Sequence, residues 1–217
     1  MMKRDFRGGA FLAAAGVAAA SPVQGAEANA SVDEWIKCLK STDQGVNTAA
    51  CQSAPEVGAA AVKPLAGLLA DSDFELARRA KRAFYRIVRH AGRPGAAAEA
   101  LAVETELVAL LAGGPVQPRR DLLWMLSEIG TGRAVAPVAV LLMDNELRED
   151  ARCALTRMPS PEAAGALKTA FARVPEDFKY ALAESLRIRG QEVEGYPSRK
   201  LVPSAQTTVK PIVPKNN

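Results

Sequence analysis

The sequence predicts an all-α protein, an α–α superhelix of about five helix pairs, on three observations. Alanine and leucine dominate the 217 residues, whereas aromatic residues make up 5%. Strands favour β-branched and aromatic residues, so a β-rich fold is not expected. Apolar residues recur three, four and seven positions apart, as on one face of a helix. Segment 61–69 also recurs as segment 134–142 with six of nine residues identical, and such self-similarity is typical of repeat architectures.

Residues 1–26 are expected to form a signal peptide. Three cations, Lys3, Arg4 and Arg7, precede residues 8–20, which carry no charge. Small residues follow, with Ala-x-Ala cleavage patterns at 26–28 and 28–30. The uncharged run is shorter than the roughly 20 residues that span a bilayer. We therefore expect an exported protein, periplasmic or extracellular, with no stable membrane span after signal cleavage.

The beginning of this segment resembles the twin-arginine export motif. Lys3-Arg4-Asp5-Phe6 carries it, with lysine in place of the first arginine. The resemblance implies export of an already folded chain, and the general secretory route is the alternative.

The repeat domain is expected at residues 27–190, and its first two units at 31–54 and 57–90. The first helix of each unit carries apolar residues at matching positions, which are Val32, Trp35, Cys38 and Leu39 in one and Val62, Leu65, Leu68 and Leu69 in the other. Cys38 takes the place of Leu68, so we expect it to be buried as a small hydrophobic residue. The second helix of unit 57–90 carries its stripe on Leu76, Ala80, Ala83, Phe84 and Ile87.

Three further units are expected at 99–130, 133–158 and 161–190. Unit 133–158 repeats the second-helix stripe of unit 57–90 at the same spacing, on Leu147, Ala151, Ala154, Leu155 and Met158. Acidic turns at 71–73 and 144–146 stand before these helices, and we expect them to cap the helix N-termini rather than to bind a cation. The other two units follow the pattern more loosely.

This pattern resembles the HEAT repeat. The residues that carry it are Val-x-x-Leu-x-x-Leu-Leu at 62–69, Asp-x-Asp at 71–73 and Leu-Ala-Arg-Arg-Ala-x-Arg-Ala-Phe at 76–84, and residues 144–155 look like another copy. Unit 99–130 departs from the pattern, with Gly113-Gly114-Pro115 in place of the acidic turn. The resemblance implies an α-solenoid, a right-handed stack of helix pairs, and specifies no chemistry.

The charge of the chain is low and its C-terminal tail is expected to be extended. The formal net charge is +4, of which +2 belongs to residues 1–26. The remainder is too small for a nucleic-acid footprint, so no nucleic acid is expected as a partner. Residues 191–217 contain four prolines and several cations and are expected to form a basic, mostly disordered tail. The alternative is a tail that lies along the last unit through Tyr196, Leu201 and Val202.

A basic ridge on the second helix of unit 57–90 is the leading candidate site. It is defined here as Arg78, Arg82, Arg86, Arg89 and Arg93, with Arg79, Lys81 and His90 beside it. Arginine forks match carboxylates and phosphates, so the ridge indicates an acidic partner. The alternative is a solvated face neutralised by acids of adjacent units such as Asp121, Glu128 or Glu149.

Trp124, His90 and the three cysteines are the remaining candidates for a functional site. Trp124 either packs between units or anchors a partner, because exposed tryptophan is frequent at binding hot spots. His90 is the chain's one histidine, and no nucleophile lies near it in sequence, so no catalytic residue is expected. Cys51 and Cys153 are expected off the core face, and a Cys38–Cys51 bridge stays open. The spacing offers no metal-binding or cofactor-binding motif, so neither group is expected.

The expected function is that of an exported scaffold, not an enzyme, which binds an unidentified and acidic extracytoplasmic protein. One alternative is a structural or accessory domain of a larger exported assembly. A second follows from the resemblance, since some HEAT-like proteins are chromophore lyases or base-excising glycosylases. Ridge arginines without acidic partners would favour a binding function. A ridge neutralised by neighbouring acids would favour a structural role. The oligomeric state is left open.

Overall fold

The computed structural model describes residues 22–198, with side chains from Ser31 onward. Over this part of the chain the backbone forms ten α-helices, two short 3₁₀ helices and no strand. The predicted all-α class is therefore confirmed for the described residues. Most of the expected signal peptide, residues 1–21, and the tail from residue 199 lie outside them. No helix in the described part is both long and apolar enough to cross a membrane.

The helices follow one another with short connections. Their bounds are α1 Pro22–Lys40, α2 Gln44–Val57, α3 Val62–Leu68, α4 Phe74–Ala91, α5 Ala97–Leu110, α6 Val116–Ile129, α7 Gly132–Val140, α8 Arg148–Arg157, α9 Glu162–Phe171 and α10 Glu176–Ile188. The 3₁₀ helices are Gly58–Ala61, before α3, and Leu141–Met143, after α7. Each of the five expected units contains two of the α-helices.

The helices pack as a repeat-like arrangement of two rows. Within each unit the two helices contact each other, α1 with α2 through to α9 with α10. The even-numbered helices α2, α4, α6, α8 and α10 also contact one another in that order, and α3, α5, α7 and α9 do the same. Contacts between neighbouring units therefore dominate, as in proteins built from stacked repeats.

A continuous apolar core runs between the two rows. Leu39, Leu65, Phe84, Leu123 and Leu155 are each fully buried in it. The alanines of the repeated stripe are buried as well, namely Ala80, Ala83, Ala151 and Ala154. Because alanine carries no side chain beyond Cβ, these positions let a neighbouring helix approach closely. The helical spacing of apolar residues in the sequence thus becomes one shared interior.

Aspartate side chains cap α2 and α4, and the cap of α4 is the one expected from the acidic turn at 71–73. Asp73 accepts hydrogen bonds from the backbone N–H groups of Glu75 and Leu76 at 2.9 and 3.2 Å. Asp43 accepts one such bond, from the N–H of Val46 in the first turn of α2. Asp144 accepts from the N–H groups of Glu146 and Leu147 in the turn before α8, whose own N-terminus has no side-chain cap, so the expected cap at 144–146 orders the turn instead. These contacts occupy N–H groups that have no partner within the helix.

Arginines from following helices bind the carbonyl groups at helix C-termini. Arg79 of α4 donates to the carbonyl oxygen of Leu39 at 2.7 Å, at the end of α1. Arg119 donates to the carbonyl oxygen of Leu111 at 2.9 Å, at the end of α5. Arg189, just beyond α10, reaches several carbonyls that end α8. Two of these contacts, those of Arg79 and Arg189, tie one unit to another.

The first residues of the expected tail lie against the last unit. The Tyr196 ring meets Phe171 edge-on at a centroid distance of 5.0 Å and Tyr180 at 5.2 Å. Its hydroxyl donates to the Glu176 carboxylate at 2.7 Å, and Arg187 donates to the Tyr196 carbonyl. Residues 191–198 thus pack on α9 and α10. The expected disorder of the tail stays a prediction for residues 199–217, which are not described.

The expectation that Cys38 is buried is wrong. Cys38 is exposed, while its neighbour Leu39 is fully buried. Successive residues are separated by about 100° around a helix, so Cys38 points away once Val32, Trp35 and Leu39 face the core. Cys51 and Cys153 are half-buried, and all three thiols are free in the structure.

Candidate functional site

Helix α4 places the basic ridge on its solvent side. Its capped N-terminus and its buried stripe fix which face is turned outward. The five ridge arginines are all exposed. They form two classes that differ in whether an acidic side chain lies within ion-pair distance.

Three ridge arginines have acidic partners. Arg78 pairs with Glu75 one turn earlier at 2.7 Å, and Arg89 lies 3.8 Å from Glu128 of α6. Arg93 makes a two-pronged contact with Glu99, with N–O distances of 2.6 and 2.7 Å. The hydrogen bond from Arg93 lowers the pKa of Glu99 and raises that of the arginine itself.

Arg82 and Arg86 have no acidic partner within the described part of the chain. The acids expected to neutralise the ridge are engaged elsewhere. Asp121 accepts from Lys81 at 2.6 Å, and Glu149 pairs with Arg152. Neutralisation of the ridge is therefore partial, and the uncompensated charge lies at its centre.

These two arginines line a groove between α2 and α4, named here the basic groove. Its volume is about 430 Å³, and its lining residues are Asn47, Thr48, Cys51, Gln52, Arg79, Arg82, Tyr85, Arg86 and Arg89. None of them is an aspartate or glutamate. Four other clefts of the described residues are each lined by at least one carboxylate. The lining of the basic groove thus carries no negative charge of its own, and among the described residues only Arg89 of its four arginines pairs with an acid, Glu128 of α6.

Tyr85 forms part of the wall of the basic groove. It is half-buried and contacts the Arg89 guanidinium through its ring, 5.4 Å from the centroid. Burial, and after it the charges of Asp121 and Glu128, raise the pKa of Tyr85 to about 12. At neutral pH its hydroxyl is therefore a hydrogen-bond donor, and it has no partner among the described residues.

Trp124 lies on α6, apart from the basic groove. It is 44% exposed, so it is only partly packed between units. The Arg157 guanidinium of α8 lies over its ring, 4.6 Å from the centroid. A cation–π contact of this kind holds the ring in place and leaves part of it open to solvent. Trp124 is thus accessible to a partner, and it lies on the even-numbered row of helices that also bears the basic groove.

His90 is placed beside a carboxylate and not beside a nucleophile. Its Nε2 lies 3.8 Å from Glu99, which already binds Arg93. No group of three histidine, cysteine, aspartate or glutamate side chains in the described segment could hold a metal ion. The expectations that the protein is not an enzyme and binds no metal or cofactor stay predictions.

The spacing of the arginines predicts the basic ridge but not the groove that Arg82 and Arg86 line. Thr48, Cys51 and Gln52 belong to α2, more than 25 residues before Arg82 along the chain. Nothing in their local pattern points to Arg82. Tyr85 could have been found from its position three residues after Arg82, on the same side of α4.

Comparisons with known proteins do not assign a family. No protein-family model matches the sequence, and no curated protein matches it either. Two crystal structures of engineered proteins align with the chain, each at 22% identity and a TM-score of 0.37. They cover 73% and 72% of this chain, which in turn spans 78% of the first and 47% of the second. Likeness at this level carries no functional information.

Proposed function

We propose that the protein is an exported, HEAT-like α-solenoid scaffold without catalysis of its own. It binds an acidic segment of another extracytoplasmic protein in the basic groove. The observation that carries the proposal is the pair Arg82 and Arg86, whose charges are uncompensated while neighbouring cations are matched with acids. An acidic partner would supply the missing negative charge.

The fold supports this function. The helix pairs pack in two rows, and the even-numbered row bears both the basic groove and Trp124. A row of stacked helices presents a long surface to a partner, as in other repeat proteins. Arginine, tyrosine and tryptophan are the residues most enriched at binding hot spots, and all three are exposed or half-exposed here.

The export part of the proposal rests on the sequence alone. The cationic start, the uncharged run and the small residues near position 28 support a cleaved signal. Fractionation of a bacterial host that expresses the full chain tests it. We expect a shortened product outside the cytoplasm, and a variant without residues 1–26 should stay inside. A full-length product retained in the cytoplasm would contradict export.

Binding is tested with a fluorescein-labelled, glutamate-rich peptide and the full chain, by fluorescence polarisation. The variant Arg82→Glu with Arg86→Glu should lose binding at least tenfold, because two attractive charges become repulsive. Lys168→Glu with Arg173→Glu is the matched control, since both residues are exposed near α9 and the net charge changes equally. Equal loss in both variants would mean that only net charge matters.

A structural or accessory role is the second candidate. The observation that favours it is the pairing of Arg78, Arg89 and Arg93, which leaves most of the ridge neutralised. In that case the acidic peptide would bind no better than an uncharged peptide of equal length. The same polarisation experiment therefore separates the two functions.

A further inference from the structure

The size of the basic groove is that of a small-ligand site. Its volume of about 430 Å³ lies inside the range of roughly 300–1,000 Å³ that is common for such pockets. Three other clefts of the described residues have similar volumes but are lined by carboxylates, so this groove differs from them in offering room for a ligand beside arginines without acids. The groove can therefore take in a whole charged group and part of its carbon skeleton.

Arg82 and Arg86 present two separate forks to the groove, whereas Arg79, the third lining arginine without an acid, is engaged by the carbonyl oxygens of Leu39 and Ser41. Arg82 and Arg86 are one helical turn apart on α4, which is about 6 Å along the axis. Each guanidinium presents a planar set of donors that matches one carboxylate. A single carboxylate would neutralise one of them and leave the other uncompensated. Engaging both of these guanidinium groups requires two negative charges held close together.

The opposite wall supplies neutral polar groups. Thr48 and Gln52 are one turn apart on α2, at the same spacing as the arginines on α4. The Tyr85 hydroxyl, which has no partner among the described residues, adds a donor between the two arginines in sequence. None of these groups brings a negative charge that would compete with an anionic ligand.

We propose that the basic groove binds two carboxylates held close together, one on Arg82 and one on Arg86. This inference rests on the proposed function for the same site and specifies the chemistry that the site recognises. The pair is present in a free dicarboxylate of about five carbons, and also in two neighbouring acidic side chains of a protein segment. Inorganic phosphate lacks the two separated groups and is expected to bind less well.

Cys51 reports occupancy of the groove directly. It lines the groove and carries a free thiol, whereas Cys38 is exposed on α1 outside it. The full chain is treated with iodoacetamide, a neutral reagent, and the alkylation rate of each cysteine is followed by mass spectrometry. Glutarate, butyrate and inorganic phosphate are compared at equal ionic strength. Backbone amide shifts of Arg82 and Tyr85, followed by NMR, give a second reading that does not depend on thiol reactivity.

Glutarate should slow Cys51 alkylation with saturation and leave Cys38 unchanged. We expect it to bind about tenfold more tightly than butyrate, because a second charged hydrogen-bonded pair is formed. Arg82→Gln with Arg86→Gln should abolish the effect, and Lys168→Gln with Arg173→Gln should not. Equal affinities for glutarate and butyrate, or tighter binding of phosphate, would overturn the inference.

Two capped peptides separate this inference from the proposed function. One carries two adjacent glutamates and the other a single glutamate. Protection of Cys51 by glutarate without protection by the double-glutamate peptide would keep the dicarboxylate site and remove the protein-binding function. Peptide binding without protection of Cys51 would keep a scaffold function and remove this site. Protection by both supports the two together.

Discussion

Arg189 holds the end of α8 against the last unit, and its removal gives the sharpest test of how the units are joined. Its guanidinium donates to the carbonyl oxygens of Leu155 and Thr156 at 3.1 Å and of Met158 at 2.7 Å. A further contact is made to the carbonyl of Ser160. The carbonyls of Leu155, Thr156 and Met158 stand at or beyond the last turn of α8, where no intrahelical donor is available, whereas that of Ser160 also accepts from the N–H of Ala163 at 3.3 Å.

The expected cost of Arg189→Ala follows from these contacts. Hydrogen bonds that involve a charged group contribute about 1.5–3 kcal/mol each. Arg189 is half-buried, so water can replace part of these hydrogen bonds in the variant. The substitution also removes Nε, a buried donor without a partner, which offsets part of the loss. We therefore expect a loss of about 3 kcal/mol of unfolding free energy, roughly two such hydrogen bonds. For a chain of this length that lowers Tm by about 6–12 °C.

Urea unfolding monitored by circular dichroism measures this loss, and hydrogen exchange locates it. Because contacts run mainly between neighbouring units, exchange should accelerate in α8–α10 before α2–α4. Arg173→Ala is the control, as an exposed arginine near α9. A loss below about 1 kcal/mol, or uniform acceleration along the whole chain, would refute the argument for arginine capping between units.

Three further predictions test the core, a buried carboxylate and a tyrosine. Phe84→Ala removes a fully buried ring and should cost about 3–5 kcal/mol in urea unfolding, whereas Phe74→Ala, at a position 72% exposed, should change stability by less than about 0.5 kcal/mol. Glu104 is buried and accepts from the Thr131 N–H at 2.7 Å, so Glu104→Ala should cost about 1–3 kcal/mol, and an unchanged urea midpoint would contradict that. The pKa of Tyr85 is about 12 in the folded chain against 10.0 ordinarily, so the unfolded chain loses this proton first as the pH rises. The stability that Tyr85 contributes is therefore complete below pH 10 and disappears as the pH rises toward 12. Tyr85→Phe should flatten that part of the pH–stability curve, and identical curves would show that Tyr85 titrates normally.

Much of the fold could be predicted from the sequence because helical periodicity is a local property. The stripe through Ala80, Ala83 and Phe84 identifies both a helix and its buried face, and the structure buries all three. Cys38 shows where that reasoning fails. Alignment with Leu68 ignored the rotation of α1, which is set by contacts of Trp35 and Leu39 with other helices.

The candidate site could be predicted only in part, since its members lie on different helices. The spacing of the ridge arginines indicates a shared face of α4. The spacing does not predict which cations of α4 form ion pairs, because the acids Asp121 and Glu128 belong to a different helix, α6. Nor does it say that Thr48 and Gln52 of α2 form the opposite wall.

The helical class and the location of the basic ridge follow from residue spacing alone, since both depend on residues within one or two turns of each other. Which of the charges are compensated depends on how the helices pack. An ion pair forms only when packing brings two side chains within about 4 Å, and that distance depends on how α2, α4 and α6 pack against one another. Lys81 of α4 pairs with Asp121 of α6, while Arg82, the next residue in the chain, lines the groove and has no acidic partner among the described residues.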